Sequence, residues 1–96
     1  MKRRKLTWSE RAEADLVAIG DFISRDDPVA AYRWVRRLIA TARAAARIPL
    51  GGRRVPELQR DDVREVFVKR YRIVYRVTDR QCIVLTVFEG HKLLDL

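Results

Sequence analysis

Tyr71-Arg72-Ile73-Val74-Tyr75-Arg76-Val77 is the stretch on which the fold turns. Its β-branched and aromatic residues suit a pleated strand, and its side chains sort with a period of two. Ile73, Tyr75 and Val77 point one way; Arg72, Val74 and Arg76 point the other. The apolar set is expected to pack on the helices predicted upstream. The face bearing Arg72 and Arg76 is expected to be open to solvent or substrate. Val63 to Lys69 before it and Cys82 to Phe88 after it also read as strands. Thr78-Asp79-Arg80-Gln81 separates the last two as a hairpin turn. Short connections between consecutive strands predict an antiparallel sheet.

Upstream, the hydrophobic period changes. Ala12, Leu16, Ile19 and Ile23 follow one another at spacings of four, three and four, with Phe22 beside Ile19, which is the apolar stripe of an amphipathic helix. Ser9 suits its N-cap, and Glu10 and Glu13 in the first turn suit its dipole. A second helix is predicted from Pro28 to Arg47, with Asp27 as cap and Pro28 at the first helical position. Its inner face is Ala31, Val35, Leu38, Ile39, Ala42 and Ala46. Arg33, Arg36, Arg37, Arg43 and Arg47 lie elsewhere on it. So short a turn between the two predicts an antiparallel helical hairpin. Ile48-Pro49-Leu50-Gly51-Gly52 ends the second helix. Arg3 to Trp8 reads as a short first strand. The predicted class is α+β in the order β-α-α-β-β-β: a short strand, the helical hairpin, then a three-stranded antiparallel sheet covered on one face by the hairpin.

The 96 residues predict one domain, 1–96, with roughly 60–65% of the unfolded chain's surface buried. No apolar run is long enough for a transmembrane helix. The start, Met1-Lys2-Arg3-Arg4-Lys5, is basic with no apolar stretch behind it, so it does not read as a secretory signal, and the cytoplasm is the expected compartment. One cysteine, Cys82, excludes an internal disulfide, and one histidine, His91, argues against a zinc site. No metal or cofactor is expected. The net charge of +8 favours a polyanion or an acidic protein as partner.

Arg64, Arg72 and Arg76 lie on strands, which hold side chains rigidly, and an arginine fork can bind phosphate. Alternatively they pair with Glu65, Asp61 or Asp62, or are simply solvated. His91 follows Gly90 just past the last strand, where it would either exchange a proton near neutral pH or simply cap the surface. Glu57 would be a general base or a salt-bridge partner of Arg53 or Arg54. Cys82 reads as a small core residue. Trp8 and Trp34 read as packing residues, with Trp34 alternatively an anchor for a partner.

Set together, these features resemble the ParE branch of the ParE/RelE toxin superfamily. The resemblance rests on Trp8, Ala14-Asp15-Leu16, Asp27-Pro28, Ala30-Ala31, Gly52-Arg53, Arg64-Glu65, Tyr71 to Val77 and Gly90-His91-Lys92, and covers nearly the whole chain. It implies a toxin neutralised by a cognate antitoxin, whose C-terminal segment, often acidic and disordered when free, wraps the toxin; Trp34 is the candidate contact. ParE-like members poison DNA gyrase without chemistry of their own. RelE-like members cut mRNA on the ribosome, and in one nuclease branch Glu57 would match the base, Arg72 the phosphate-stabilising arginine and His91 the acid. Lys92 stands where that branch carries tyrosine, and the ParE ending, His-Gly-Arg-Arg-like, is replaced by Glu89-Gly90-His91-Lys92. Arg64, Arg76 and Lys92 are the candidate target-binding residues. Gyrase poisoning is therefore the first expectation, ribosome-dependent mRNA cleavage the second, and an inactive antitoxin-binding protein the third. A general basic nucleic-acid-binding module is the fourth.

Overall fold

The computed structural model describes residues 4–92 and 94. Arg3, at the start of the expected first strand, lies outside them. β1 spans Lys5–Trp8, α1 Glu10–Ser24 and α2 Pro28–Arg47. A single 3₁₀ turn, Pro49–Gly51, leads to β2 at Arg53–Arg54. β3 is Val63–Val68, β4 Tyr71–Val77 and β5 Gln81–Glu89. The sheet order is β1-β5-β4-β3-β2, with β1 parallel to β5 and every other pair antiparallel. The expected α+β order is present, and the sheet has five strands rather than three. β2 has only two residues, too few to leave a period in the sequence. Lys69 is not in β3; with φ of 53° it forms the tight turn to β4, where a two-residue connection needs a left-handed residue.

Both helices start as their caps dictate. The Ser9 hydroxyl accepts the Ala12 amide at 3.0 Å, and Asp27 accepts those of Val29 and Ala30 at 3.1 and 3.0 Å. The hairpin packs Ala12, Leu38 and Ala42 against Val68, Tyr71, Ile73, Val84 and Val87 of the sheet. Small alanines on both helices let these elements approach closely. Phe22 departs from its expected place: it is exposed, at the rim of a groove between α1 and the end of β5.

β5 carries a bulge. Val84 pairs with Tyr75 and Thr86 with Val74, which leaves Leu85 over. The backbone groups freed there are taken up by α1 and its cap. Ser9 Oγ donates to the Leu85 carbonyl at 2.9 Å, and Asp15 accepts from the Val87 amide at 2.9 Å and the Thr86 hydroxyl at 2.6 Å. Replacing Asp15 with alanine orphans both donors. The expected loss is about 1–3 kcal/mol in urea denaturation, and a midpoint equal to wild type would contradict this role.

The second face of the sheet is not open, contrary to the expectation from the β4 pattern. Val55, Val63 and Val74 form a separate buried cluster there, joined by Leu58, Leu85, Phe88 and Leu94. The chain from Val55 to Asp62 folds back over this face, and Arg72 is only 5% exposed. Gly52 allows the return. A β-carbon there would stand 2.1 Å from the Tyr75 hydroxyl, which donates to the Pro49 carbonyl at 2.7 Å.

Candidate functional site

Arg72 is the centre of the covered face. Its guanidinium has five N–H donors. Four are used: Nε and one terminal nitrogen donate to Glu65, and both terminal nitrogens donate to Glu57, the latter pair at 3.0 Å each. The Phe88 and Phe67 rings stack near it, with centroids 5.0 and 5.9 Å from the guanidinium carbon. Glu65 is buried and also accepts from Arg53, whose Nε lies 2.7 Å away. Glu57 accepts the Leu94 amide at 3.2 Å as well, so the network ties β2, β3 and β4 to the chain's end.

This arrangement changes the acid–base character of its members. The hydrogen bonds from Arg72 hold the Glu57 carboxyl down to about 2, from an ordinary 4.5. A carboxylate so acidic is a weak proton acceptor at neutral pH. Arg72 is pushed up by the same contacts, led by Glu57. Because the folded value of Glu57 is depressed, its contribution to stability is complete above its unfolded value. It is lost as the pH falls from about 4.5 towards about 2. Acid titration of the melting temperature should show this loss, and Glu57→Gln should remove that part of the pH dependence. An unchanged acid profile in the variant would contradict the assignment.

The other candidate residues lie apart. Arg64 faces the end of α2, donating to the carbonyls of Asp61 at 2.9 Å, Gly52 at 3.1 Å and Leu50 at 3.2 Å. Arg76 is half exposed and meets Asp62 at 3.3 Å; Asp62 is shared with Arg60, which holds its carboxyl below the usual range. His91 is 70% exposed in the turn after β5, and its Nδ1 lies 3.5 Å from Glu89. Lys92 follows it on the surface and lines the groove formed with Ile19, Phe22, Tyr71 and Val87. Trp34 is half-buried, edge-on to Tyr71 at 5.4 Å with Arg37 over its ring. The structure thus brings Glu57 and Arg72 together and leaves His91 exposed near Glu89, apart from them.

The pairing differs from the expected one in detail. Glu57 meets Arg72, not Arg53 or Arg54; Arg53 takes Glu65 and Arg54 takes Asp61. Sequence reading missed Arg53 and Asp15. Arg53 carries no strand period, and Asp15 is a helical carboxylate like its exposed neighbours until the bulge opposite it is known. Cys82 is a core residue as expected, and burial pushes its thiol up to about 11. Among the described residues, no group of three or more histidine, cysteine or carboxylate side chains could hold a metal, and no helix is long and apolar enough to cross a membrane.

Comparison with known proteins agrees with this architecture. The chain resembles Y4kP of Sinorhizobium fredii, a chain named as a toxin, with 34% identity covering 96% of this chain and 94% of that one. It is 41% identical to toxin RelE2 of Caulobacter vibrioides over 78% of this chain and 82% of the relative. Its fold matches a chain of the chromosomal ParDE system of P. aeruginosa with a TM-score of 0.76 at 21% identity, covering 91% and 96% of the two chains. Residues 6–94 match the model of the ParE toxin of the type II toxin–antitoxin system parDE. With that match spanning nearly its whole length, the chain belongs to the ParE toxin family of type II toxin–antitoxin systems.

Proposed function

We propose that this toxin arrests growth by poisoning DNA gyrase through protein–protein contact rather than by cutting mRNA. The observation that carries this reading is the closed Arg72 network. Ribonuclease chemistry needs a base, a donor for the developing phosphorane charge and an acid converging on one phosphate. Here Glu57 spends both carboxylate oxygens on Arg72, Arg72 spends four donors on Glu57 and Glu65, and His91 faces Glu89. A target protein would instead meet the exposed Arg76 and Lys92 and the half-covered Arg64 at the ends of the sheet.

The same reading gives the toxin a ParD-type antitoxin with an acidic C-terminal segment that orders on binding. Its proposed seat is the groove between α1 and the end of β5, with Phe22 and Lys92 on the rim. Trp34 adjoins this groove through Tyr71. Exposed Phe22, beside Ala18 and Ile19, gives the segment apolar surface to cover, and the +8 charge of the whole chain draws an acidic partner to the toxin. Ribosome-dependent cleavage stays the second reading because the Caulobacter relative carries the name RelE2.

Expression without antitoxin separates the two. Gyrase poisoning predicts filamentous cells, an induced DNA-damage response and intact mRNA. His91→Ala should then remain as toxic as wild type. Loss of toxicity in a folded His91→Ala protein, with cuts inside translated codons, would overturn the proposal.

A further inference from the structure

Six arginines around the sheet are engaged with acids or backbone: Arg53 and Arg72 with Glu65, Arg54 with Asp61, Arg60 and Arg76 with Asp62, and Arg64 with backbone carbonyls. The five of α2 meet no acid. Arg33, Arg36, Arg37, Arg43 and Arg47 are all exposed, and α2 contains no aspartate or glutamate. Among the described residues none of the five forms an ion pair. α1 has the opposite balance, with Glu10, Glu13, Asp15 and Asp21 against Arg11 alone. The positive charge of the helical hairpin is therefore concentrated on α2.

It is also concentrated on one face. Positions 33, 36, 37, 40, 43 and 47 recur at helical spacing, opposite the buried stripe of Ala31, Leu38 and Ala42. An open groove of about 740 Å³ runs between Tyr32, Arg33, Arg36, Arg37, Ala40 and Arg43. From Arg33 to Arg47 the stripe is roughly 21 Å long at 1.5 Å rise per residue. Two of its guanidinium groups are already oriented. Arg36 donates to the Tyr32 hydroxyl at 2.7 Å and lies over its ring, and Arg37 lies over Trp34. Orientation before binding lowers the entropy lost on contact.

We infer that this arginine stripe of α2 binds the phosphodiester backbone of duplex DNA without reading its bases. Arginine forks match phosphate oxygens, and a duplex presents one charge per about 1.7 Å of axis, so a straight row of fixed cations meets several at once. Single strands are bound by stacking their bases on exposed aromatic faces. Here α2 offers one exposed ring, Tyr32, with Arg36 over one of its faces, whereas Trp34 is half-buried between Tyr71 and Arg37, so successive bases find no run of rings to stack on. An acidic helix or strand would need apolar anchors repeated along the row, and the groove offers Tyr32 at one end with only Ala40 and the edge of Ile39 beyond it. The inference goes beyond the proposed target and does not depend on it.

The test is fluorescence anisotropy of the purified full chain with a labelled 30-base-pair duplex of mixed sequence, at several salt concentrations. Binding should weaken steeply with salt, with a log–log slope of about −4 if four or five phosphates are met. The triple variant Arg33→Gln, Arg37→Gln, Arg43→Gln should bind at least about tenfold more weakly and lose about 2–3 from that slope. Arg11→Gln, Arg54→Gln, Arg80→Gln removes the same charge from other faces and should stay within about threefold of wild type. Equal losses in the two triples would overturn the inference in favour of diffuse charge. So would displacement of the duplex by polyglutamate more readily than by unlabelled duplex. A second measurement needs no variant: duplex DNA should protect Arg33, Arg37 and Arg43 of the wild type from phenylglyoxal while Arg11 and Arg80 react. Uniform reactivity with and without DNA would refute the site.

Discussion

Arg72→Ala should destabilise the fold by about 3–5 kcal/mol, because it leaves the fully buried Glu65 without its principal partner. It also empties the space between Phe67 and Phe88. For a domain of this length a loss of that size lowers the melting temperature by more than about 10 °C. Arg72→Lys should fall between, since a point charge cannot serve Glu57 and Glu65 as a fork does. Urea denaturation followed by circular dichroism measures both, and a wild-type midpoint for Arg72→Ala would show that the network is not structural. The prediction has a consequence for toxicity assays. An inactive Arg72→Ala protein is expected to be inactive because it is unfolded, so only a variant shown to be folded bears on chemistry.

Leu38→Ala should cost a similar amount, about 2–5 kcal/mol. Leu38 is fully buried at the centre of the hairpin–sheet core, in one cluster with Ala12 and Ala42. Those neighbours are too small to fill the space that the leucine would vacate, so the cavity persists and the cost is expected in the upper part of the range. Val17→Ala on α1 is the matched control. Val17 is 63% exposed, and its replacement should stay within about 0.5 kcal/mol of wild type. Equal midpoints for the two variants would contradict the placement of the core.

Local signals in the sequence carried most of the architecture. The Ser9 and Asp27 caps, the Pro28 start and the Arg47 end of α2, and the seven residues of β4 are each set by interactions within a few residues, and those are written in the sequence. What escaped is set by distant contacts. β2 exists only because Arg53 and Arg54 meet Glu65 and Arg64 of β3. The β4 pattern places Arg72 opposite the helices correctly. It cannot say that residues 55–62 return to cover that face. Phe22 has the helical spacing of a core residue, but it is exposed and lies at the rim of the groove between α1 and the end of β5. For the candidate site, the sequence supplied the residues and not their pairing. Glu57 and Arg72 lie fifteen residues apart and meet only through the fold, and the cost of burying Arg72 selects Glu65 as the second partner.

The α2 stripe was visible as charge, yet arginine on a helix face is ordinarily a solvated surface. What distinguishes it is the contrast with Arg53, Arg54, Arg60, Arg64, Arg72 and Arg76 around the sheet, which the fold supplies with partners. That contrast arises only in the folded chain.

Purified DNA gyrase, supercoiled plasmid and this toxin, with detergent and protease added to release any trapped breaks, test the central claim most directly. Gyrase poisoning predicts linear plasmid that increases with toxin concentration, is absent without gyrase and is suppressed by the cognate antitoxin. It also predicts the same yield with His91→Ala. No linear product at any toxin concentration, with a toxin that still kills cells and leaves mRNA cut within codons on the ribosome, would contradict it.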